Sequence, residues 1–257
     1  MIYYFTGNGN SGYIAHRLAG YLHEKIERIK DSTQLQLPIG KSGIGIVFPV
    51  YAWGVAPPVT DFINSWSEEY ITRLKADKVP IWAVMTCGDE AGACVEMLKE
   101  ILKRRGLSLT AAWSVIMPNT YVILPGFDVD SPELAQKKLT DSLNRVKEIG
   151  EKIQKLNWEI DVLRGSWPRI KTHIVYPLFR RWGINPKKWH KELDCNRCGR
   201  CVRVCPVANI QMGASGPVWN ENCKSCMACY HCCPKHSVSY GEITKGKGQY
   251  RIDDYQH

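Results

Sequence analysis

Eight of the eleven cysteines in this 257-residue chain form two copies of one pattern, C-x2-C-x2-C-x3-C-P. The first copy is Cys195, Cys198, Cys201 and Cys205 before Pro206; the second is Cys223, Cys226, Cys229 and Cys233 before Pro234. Two-residue gaps let a tight loop aim three sulfurs into one small volume, and a cubane [4Fe-4S] cluster needs four thiolates there. In runs of this type the fourth cysteine ligates the other cluster. The expected sets are therefore Cys195, Cys198, Cys201 with Cys233, and Cys223, Cys226, Cys229 with Cys205. Pro206 and Pro234 lack an N–H and keep the preceding cysteine extended, which turns the chain away after the last ligand. Clusters of this kind move single electrons.

Two other chemistries compete for these cysteines. Paired C-x2-C units also make four-cysteine zinc sites, although three evenly spaced cysteines plus a fourth before proline, occurring twice, fit zinc poorly. Disulfides need an oxidising compartment. The chain opens Met1-Ile2-Tyr3-Tyr4-Phe5-Thr6-Gly7 with no positively charged n-region, and no apolar run approaches the roughly 18 residues of a membrane span. The expectation is a reduced, cytoplasmic chain with no integral membrane association. Cys232, directly before Cys233, is supernumerary and reads as a small buried residue; Cys87 and Cys94 are isolated, and Cys94 reads as core. His231 lies inside the second run, where four thiolates already suffice.

A second constellation sits at the other end of the chain. A short apolar run leads into Thr6-Gly7-Asn8-Gly9-Asn10-Ser11-Gly12 and then a helical stretch. Small residues let backbone amides converge, a helix N-terminus adds partial positive charge, and Thr6, Asn8, Asn10 and Ser11 offer side-chain donors: an anion cradle. A P-loop is excluded for want of G-K-[ST]. Gly7, Gly9 and Gly12 also match G-x-G-x-x-G, with Asp31 further on, which keeps NAD open. The density of hydroxyl and amide groups suits the terminal phosphate of FMN better than a pyrophosphate approached by backbone.

The elements that must position these groups alternate. Apolar, β-branched runs at 2–5, 26–29, 44–50, 79–86 and 109–117 read as strands; 11–23, 57–66, 92–105 and 132–158 read as helices. The last carries Leu139, Leu143, Val146, Ile149, Ile153 and Leu156 on one face. Five strands alternating with helices imply an α/β fold with a doubly wound parallel sheet, and the cysteine-rich end then forms a separate small α+β unit.

In both constellations the chain resembles proteins that fuse an N-terminal flavodoxin-like domain to a C-terminal bacterial-type 2[4Fe-4S] ferredoxin, found in anaerobes. Flavodoxins carry [ST]-x-T-G-x-[ST] after the first strand; Thr6, Gly9 and Ser11 match, while Asn8 replaces the central threonine. The resemblance implies a five-stranded flavodoxin-like domain at 1–160, a ferredoxin domain with its tail at 191–257, and FMN beside two [4Fe-4S] clusters. It also implies that loops after the third and fourth strands hold the flavin ring. These are Tyr51, Ala52, Trp53 and Gly54, where Tyr51 and Trp53 can stack on a ring or else cap the core, and Thr86, Cys87, Gly88, Asp89 and Gly92. Asp89, Glu90, Asn119 and Tyr121 lie near the same edge, with no catalytic role assigned to any.

Residues 161–190 form a basic, aromatic connector. Within 161–194 stand Arg164, Arg169, Lys171, Arg180, Arg181, Lys187, Lys188 and Lys191 beside Trp167, Tyr176, Phe179, Trp182 and Trp189. That many aromatics argue for packing between the domains with an exposed basic edge; the alternative is a patch that binds a membrane surface, nucleic acid or an acidic redox partner. The formal charge of +9 falls to roughly +3 once cluster and flavin charges are counted, which removes the main support for nucleic-acid binding. The tail 241–257 either wraps back or stays mobile. Three readings follow: a conduit between clusters and FMN that couples one- and two-electron steps; a flavin-dependent reductase of a small substrate, fed by a protein donor; and a redox sensor. The redox partner is not identified by any motif.

Overall fold

The computed structural model describes residues 1–30, 33–38, 40–183 and 185–255, so Asp31 lies outside the described residues. The fold is mixed α/β around a mostly parallel sheet. Its strands are β1 (Ile2–Tyr4), β2 (Ile26–Arg28), β3 (Ile44–Tyr51), β4 (Gly54–Val55), β5 (Ile81–Cys87), β6 (Ala111–Ile116) and β7 (Ile160–Asp161). The order is β2-β1-β3-β5-β6-β7 with every pairing parallel, and β4 folds back antiparallel on the end of β3. The two-residue strands β4 and β7 are too short to leave a periodic signal.

Strand side chains alternate between two cores. Ile81, Ala83 and Met85 of β5 enter one core, while Trp82 and Val84 enter the other. Helices α2 (Pro57–Asn64), α3 (Glu68–Ala76) and α4 (Cys94–Arg104) close the first; α1 (Asn10–Leu22) and α5 (Pro132–Gln154) close the second. Each large apolar side chain buried in this way contributes about 1.5–3 kcal/mol.

Helix α3 was not foreseen, because the expected helix 57–66 covers only α2. Its start is nonetheless encoded: the Ser67 side chain accepts the Tyr70 N–H, Glu68 and Glu69 occupy the first turn, and Arg73 and Lys75 the last. Helix α5 buries Leu139, Val146, Ile149 and Ile153 as expected, but Leu143 and Leu156 are exposed; small Ser142 and Gly150 face the core instead. Gly150 is required there by Tyr21 of α1, whose ring lies 2.5 Å from where a Cβ would sit.

After β7 the chain runs as a nearly continuous helix over 168–183, combining α6 (Pro168–Ile170), α7 (Tyr176–Leu178) and five-residue π-type turns after each. It packs on the first unit: Thr172 Oγ1 donates to Trp53 O, Tyr176 OH donates to Val55 O, and Lys171 pairs with Glu90. Its other side leaves Trp167, Ile170, Ile174 and Leu178 exposed. The connector also reaches the second unit, where the Asn185 N–H donates to Tyr240 OH.

The C-terminal unit is a structural repeat. Strands β8 (Trp189–Lys191), β9 (Ile210–Gly213), β10 (Gly216–Trp219) and β11 (Val238–Tyr240) form two antiparallel pairs, β8 with β11 and β9 with β10; α8 (Arg200–Val204) and α9 (Ala228–His231) follow the cysteine loops. Positions 28 residues apart, as Cys195 and Cys223 are, repeat the backbone. Arg197 and Ser225, Gly199 and Met227, and Ala208 and His236 all have positive φ. Left-handed backbone at non-glycine residues costs about 1–2 kcal/mol each, so a recurring set marks loops held in shape by what they enclose.

Gly45 on β3 faces Trp82, whose ring lies 2.2 Å from a Cβ built there. Gly45→Ala is expected to destabilise the first unit by about 1–3 kcal/mol through overpacking. Denaturant unfolding under anaerobic conditions measures it, with Gly20→Ala as the comparison: it meets nothing within 4 Å and, inside helix α1, should raise stability by up to about 1 kcal/mol.

Candidate functional site

The loop from β1 to α1 places an uncapped helix start at the carboxyl edge of the sheet. Gly9, the residue before α1, has φ 97° and no side chain caps the helix, so the first-turn N–H groups remain available to an anion. The Gly9 N–H donates to Thr6 Oγ1 (3.1 Å), which leaves the Thr6 O–H free to donate outward. Ser11 Oγ and Thr86 Oγ1 share a hydrogen bond at 2.7 Å, so one of these two hydroxyls can still donate. Asn10 is committed elsewhere: Nδ2 donates to Pro118 O (2.9 Å) and Oδ1 accepts from Tyr250 OH (2.8 Å). Asn8 Oδ1 is buried without a partner.

Two connected cavities open from this loop. One of about 130 Å³ is lined by Thr6, Gly7, Asn8, Asn10, Ser11, Thr86 and Gly88; a neighbour of about 340 Å³ is lined by Ala52, Trp53, Asp89, Glu90, Phe127 and Phe179. Tyr51, Cys87, Tyr121 and Cys226 line both. Three expected residues lie outside the lining. Gly9 packs against Ile252, Gly54 against the Tyr176 ring, and Gly92 against Trp53 and Thr172. Each is a glycine for close packing, and sequence does not distinguish that from ligand contact.

The cleft suits a flat, largely apolar group ending in an anion. Tyr51 OH is buried and unpartnered; burial holds its pKa well above the usual phenol range, with Cys226 and Cys223 adding to the shift. Burial likewise pushes the Cys87 thiol up to about 12, so it lines the wall as a neutral group. Lys138 fixes the loop after β5 by donating to Gly88 O (2.9 Å) while paired with Asp130 at 2.8 Å. Asn119 is held by Asp130 through both its N–H and its side-chain amide. With Glu90 paired to Lys171, the polar rim is already partnered. The uncapped helix start and the hydroxyls can hold an anion, and the aromatic walls a flat ring.

The cysteines enclose two further cavities of about 20 Å³ each. One is lined by Cys195, Cys198, Cys201 and Cys233, the other by Cys205, Cys223, Cys226 and Cys229. Each group of four draws three cysteines from one run and the fourth from the other. Backbone N–H groups already donate to the sulfurs at equivalent places in the repeat, Asn209 to Cys205 and Ser237 to Cys233, both at 3.2 Å. Such bonds tune cluster potentials. Burial pushes the Cys226 thiol up to about 12, which keeps it protonated. Cys232 donates to Cys229 O, at 3.5 Å.

The two constellations touch. A Cβ on Gly7 would lie 2.7 Å from Cys226 O and 2.9 Å from Cys226 Cβ, so the anion loop and the second cysteine loop are in backbone contact. Around this contact the buried His231 bridges two segments: Nε2 donates to Thr120 O (2.8 Å) and Nδ1 accepts the Tyr250 N–H (3.1 Å). Burial draws its pKa down to about 4, which keeps it neutral and able to do both. The tail wraps back through residue 255. Lys247 donates to Val122 O and Leu124 O, and Gln249 donates to Tyr230 O and Cys233 O.

The family model of the 4Fe-4S binding domain matches residues 190–211, which include the whole first cysteine run. The C-terminal part is therefore a ferredoxin-type unit with at least one iron–sulfur cluster. No curated protein matches the chain. Among solved structures, the chain is similar to the Trp repressor binding protein from Bacillus subtilis at 13% identity over 58% of this chain and 99% of the other, with a TM-score of 0.38, too slight a likeness to carry an argument. No helix among the described residues is long and apolar enough to cross a membrane.

His231→Leu strands the Thr120 carbonyl and the Tyr250 N–H, and each stranded group costs about 1–3 kcal/mol. The expected outcome is lower thermal stability and faster proteolysis of the tail. Both are measured on anaerobic protein against His236→Leu, at an exposed histidine.

Proposed function

We propose that the chain is an iron–sulfur flavoprotein in which electrons pass between two [4Fe-4S] clusters and FMN, coupling one-electron to two-electron steps. The observation that carries this reading is Cys226: it belongs to the second cysteine set and also lines both cavities beside the anion loop. When bound, FMN stores up to two electrons and the clusters exchange them singly.

The residues have separable tasks. The α1 amides and the Thr6 hydroxyl would hold the phosphate, while Tyr51, Trp53, Tyr121 and Phe179 would wall the ring. Gly88, steadied by Lys138, offers backbone to the ring's polar edge. Cys226 brings the second set against the cleft, and Gly7 permits its approach. The sheet order, which places β1 and β3 side by side with the cleft at their carboxyl ends, supports a flavodoxin-like doubly wound domain at 1–160, since ligands of such sheets bind where the strand order reverses. Residues 161–190 then act as a brace on that domain, and 191–257 as a two-cluster ferredoxin unit closed by its tail.

Anaerobically purified protein should hold about eight irons and about one FMN per chain. Cys205→Ser should remove the cluster whose other ligands are Cys223, Cys226 and Cys229 and spare the Cys195 set, as read by iron content and by the EPR of the reduced protein. Zinc in place of iron, or a protein without flavin, contradicts the proposal.

Gly7→Val should drive the anion loop away from Cys226. The expected result is at least a tenfold loss of FMN affinity, or about 1.4 kcal/mol, with iron from the Cys195 set retained.

A further inference from the structure

The two cysteine sets face different surroundings. Cys226 is half-buried and lines the cleft, whereas Cys198 of the first set is exposed. The first set is therefore the outward terminal.

Its surroundings carry one sign of charge. Arg197, Arg200 and Lys235 line the cavity of the first set, and no carboxylate does. Arg203 lies beside them, its guanidinium 3.0 Å from where a Gly199 Cβ would sit. All four cations are exposed, and no ion pair is formed by any of them among the described residues. The nearby acids are engaged: Asp194 accepts from Ser237 Oγ, and Glu192 pairs with His190.

Apolar side chains stand within this basic rim. Leu193, two residues before Cys195, is 99% exposed, and Met212, which lines the same cavity, is 38% exposed. Val218 on β10, next to Pro217 of that lining, is 51% exposed. Full exposure of a leucine beside a half-exposed redox ligand gains nothing for folding. A small apolar centre with a charged rim is the make-up of a weak, fast-exchanging protein contact.

We propose that this face docks an acidic one-electron carrier protein, which reduces the first cluster. The inference rests on the cluster reading above and adds the partner's chemistry and its landing site. At the contact one electron leaves the reduced carrier and one enters the first cluster; no bond is made or broken and no proton moves. Arg197, Arg200, Arg203 and Lys235 steer the carrier, and Leu193 and Met212 give the short-range contact that brings it over Cys198. Steering of this kind raises association rates and weakens with salt.

The test follows reduction of the anaerobic holoprotein by a reduced, acidic ferredoxin in stopped flow. Iron content and the cluster potential are measured on the same samples. Arg200→Glu/Arg203→Glu is expected to slow the second-order rate at least about tenfold at low salt, with the difference shrinking as salt rises. Leu193→Asp, a change at a side chain free of packing, should slow it in the same direction and does not depend on the arginine variant assembling its cluster. Lys41→Glu/Lys78→Glu, in a groove at the opposite end of the sheet, should leave the rate unchanged. Equal rates in all variants with iron intact would overturn the docking proposal while leaving the cluster reading in place. So would a shifted cluster potential with unchanged association, because the cations would then only balance the cluster's own charge. Binding to phosphatidylglycerol vesicles that is lost on charge reversal, with no effect on the ferredoxin reaction, would overturn it in favour of a lipid surface. A wild-type chain without iron would overturn the cluster reading and this proposal together.

Discussion

The backbone of Gly7 rests against the backbone of Cys226, and no other residue type fits at position 7 without moving one of the two loops. Each loop is anchored in its own unit: the anion loop by β1 and α1, the cysteine loop by α9 and the paired strands of the repeat. Bringing them into contact requires that the units be held at one separation. Several independent bonds do so. His231 joins α9 to residue 120 and to the tail, Tyr250 reaches Asn10 in the first turn of α1, and Lys247 holds residues 122 and 124. The segment after β6 therefore belongs to both units, since Val122 and Ile123 pack in the same core as Trp189, Tyr230 and Tyr240.

The C-terminal unit shows how much backbone distortion such an arrangement tolerates. Positive φ recurs at paired positions of the repeat, including Arg197, Ser225, Met227, Ala208 and His236, none of which is glycine. Each left-handed residue is unfavourable alone. A buried set of thiols that gives up protons to a metal offsets that cost, because metal binding free energy becomes folding free energy. The repeat is thus one backbone solution used twice, with each group of four cysteines drawing its fourth member from the other half, and the environments of the halves then differ. Cys198 looks outward beside four cations, and Cys226 looks into the cleft.

Much of this was legible in residue order, and the remainder divides by physical cause. Cysteine spacing is a local property, so the two cysteine runs could be read directly; so could the small-residue turn at 6–12 and the positions of β1, β2, β3, β5 and β6. Pairs that depend on distant chain segments could not. Nothing in the sequence near His231 announces that Thr120 and Tyr250 will meet its two nitrogens, and Asn10 looks like an anion donor until Pro118 and Tyr250 take its amide. Gly9, Gly54 and Gly92 look like ligand-contact glycines but make room for Ile252, Tyr176 and Trp53. The exposed side of the 168–183 helix and the fully exposed Leu193 are likewise invisible to composition, which counts apolar residues without saying which ones face water.

The central claim is that the second cluster and the flavin are electronic neighbours. Partially reduced anaerobic protein, frozen and measured by EPR, tests it most directly through the magnetic interaction between the flavin radical and the reduced cluster nearest the cleft. The account predicts a flavin radical signal that is split or relaxes fast, and that reverts to an isolated, slowly relaxing radical in Cys205→Ser. A flavin radical that relaxes as an isolated species in the intact two-cluster protein would contradict it.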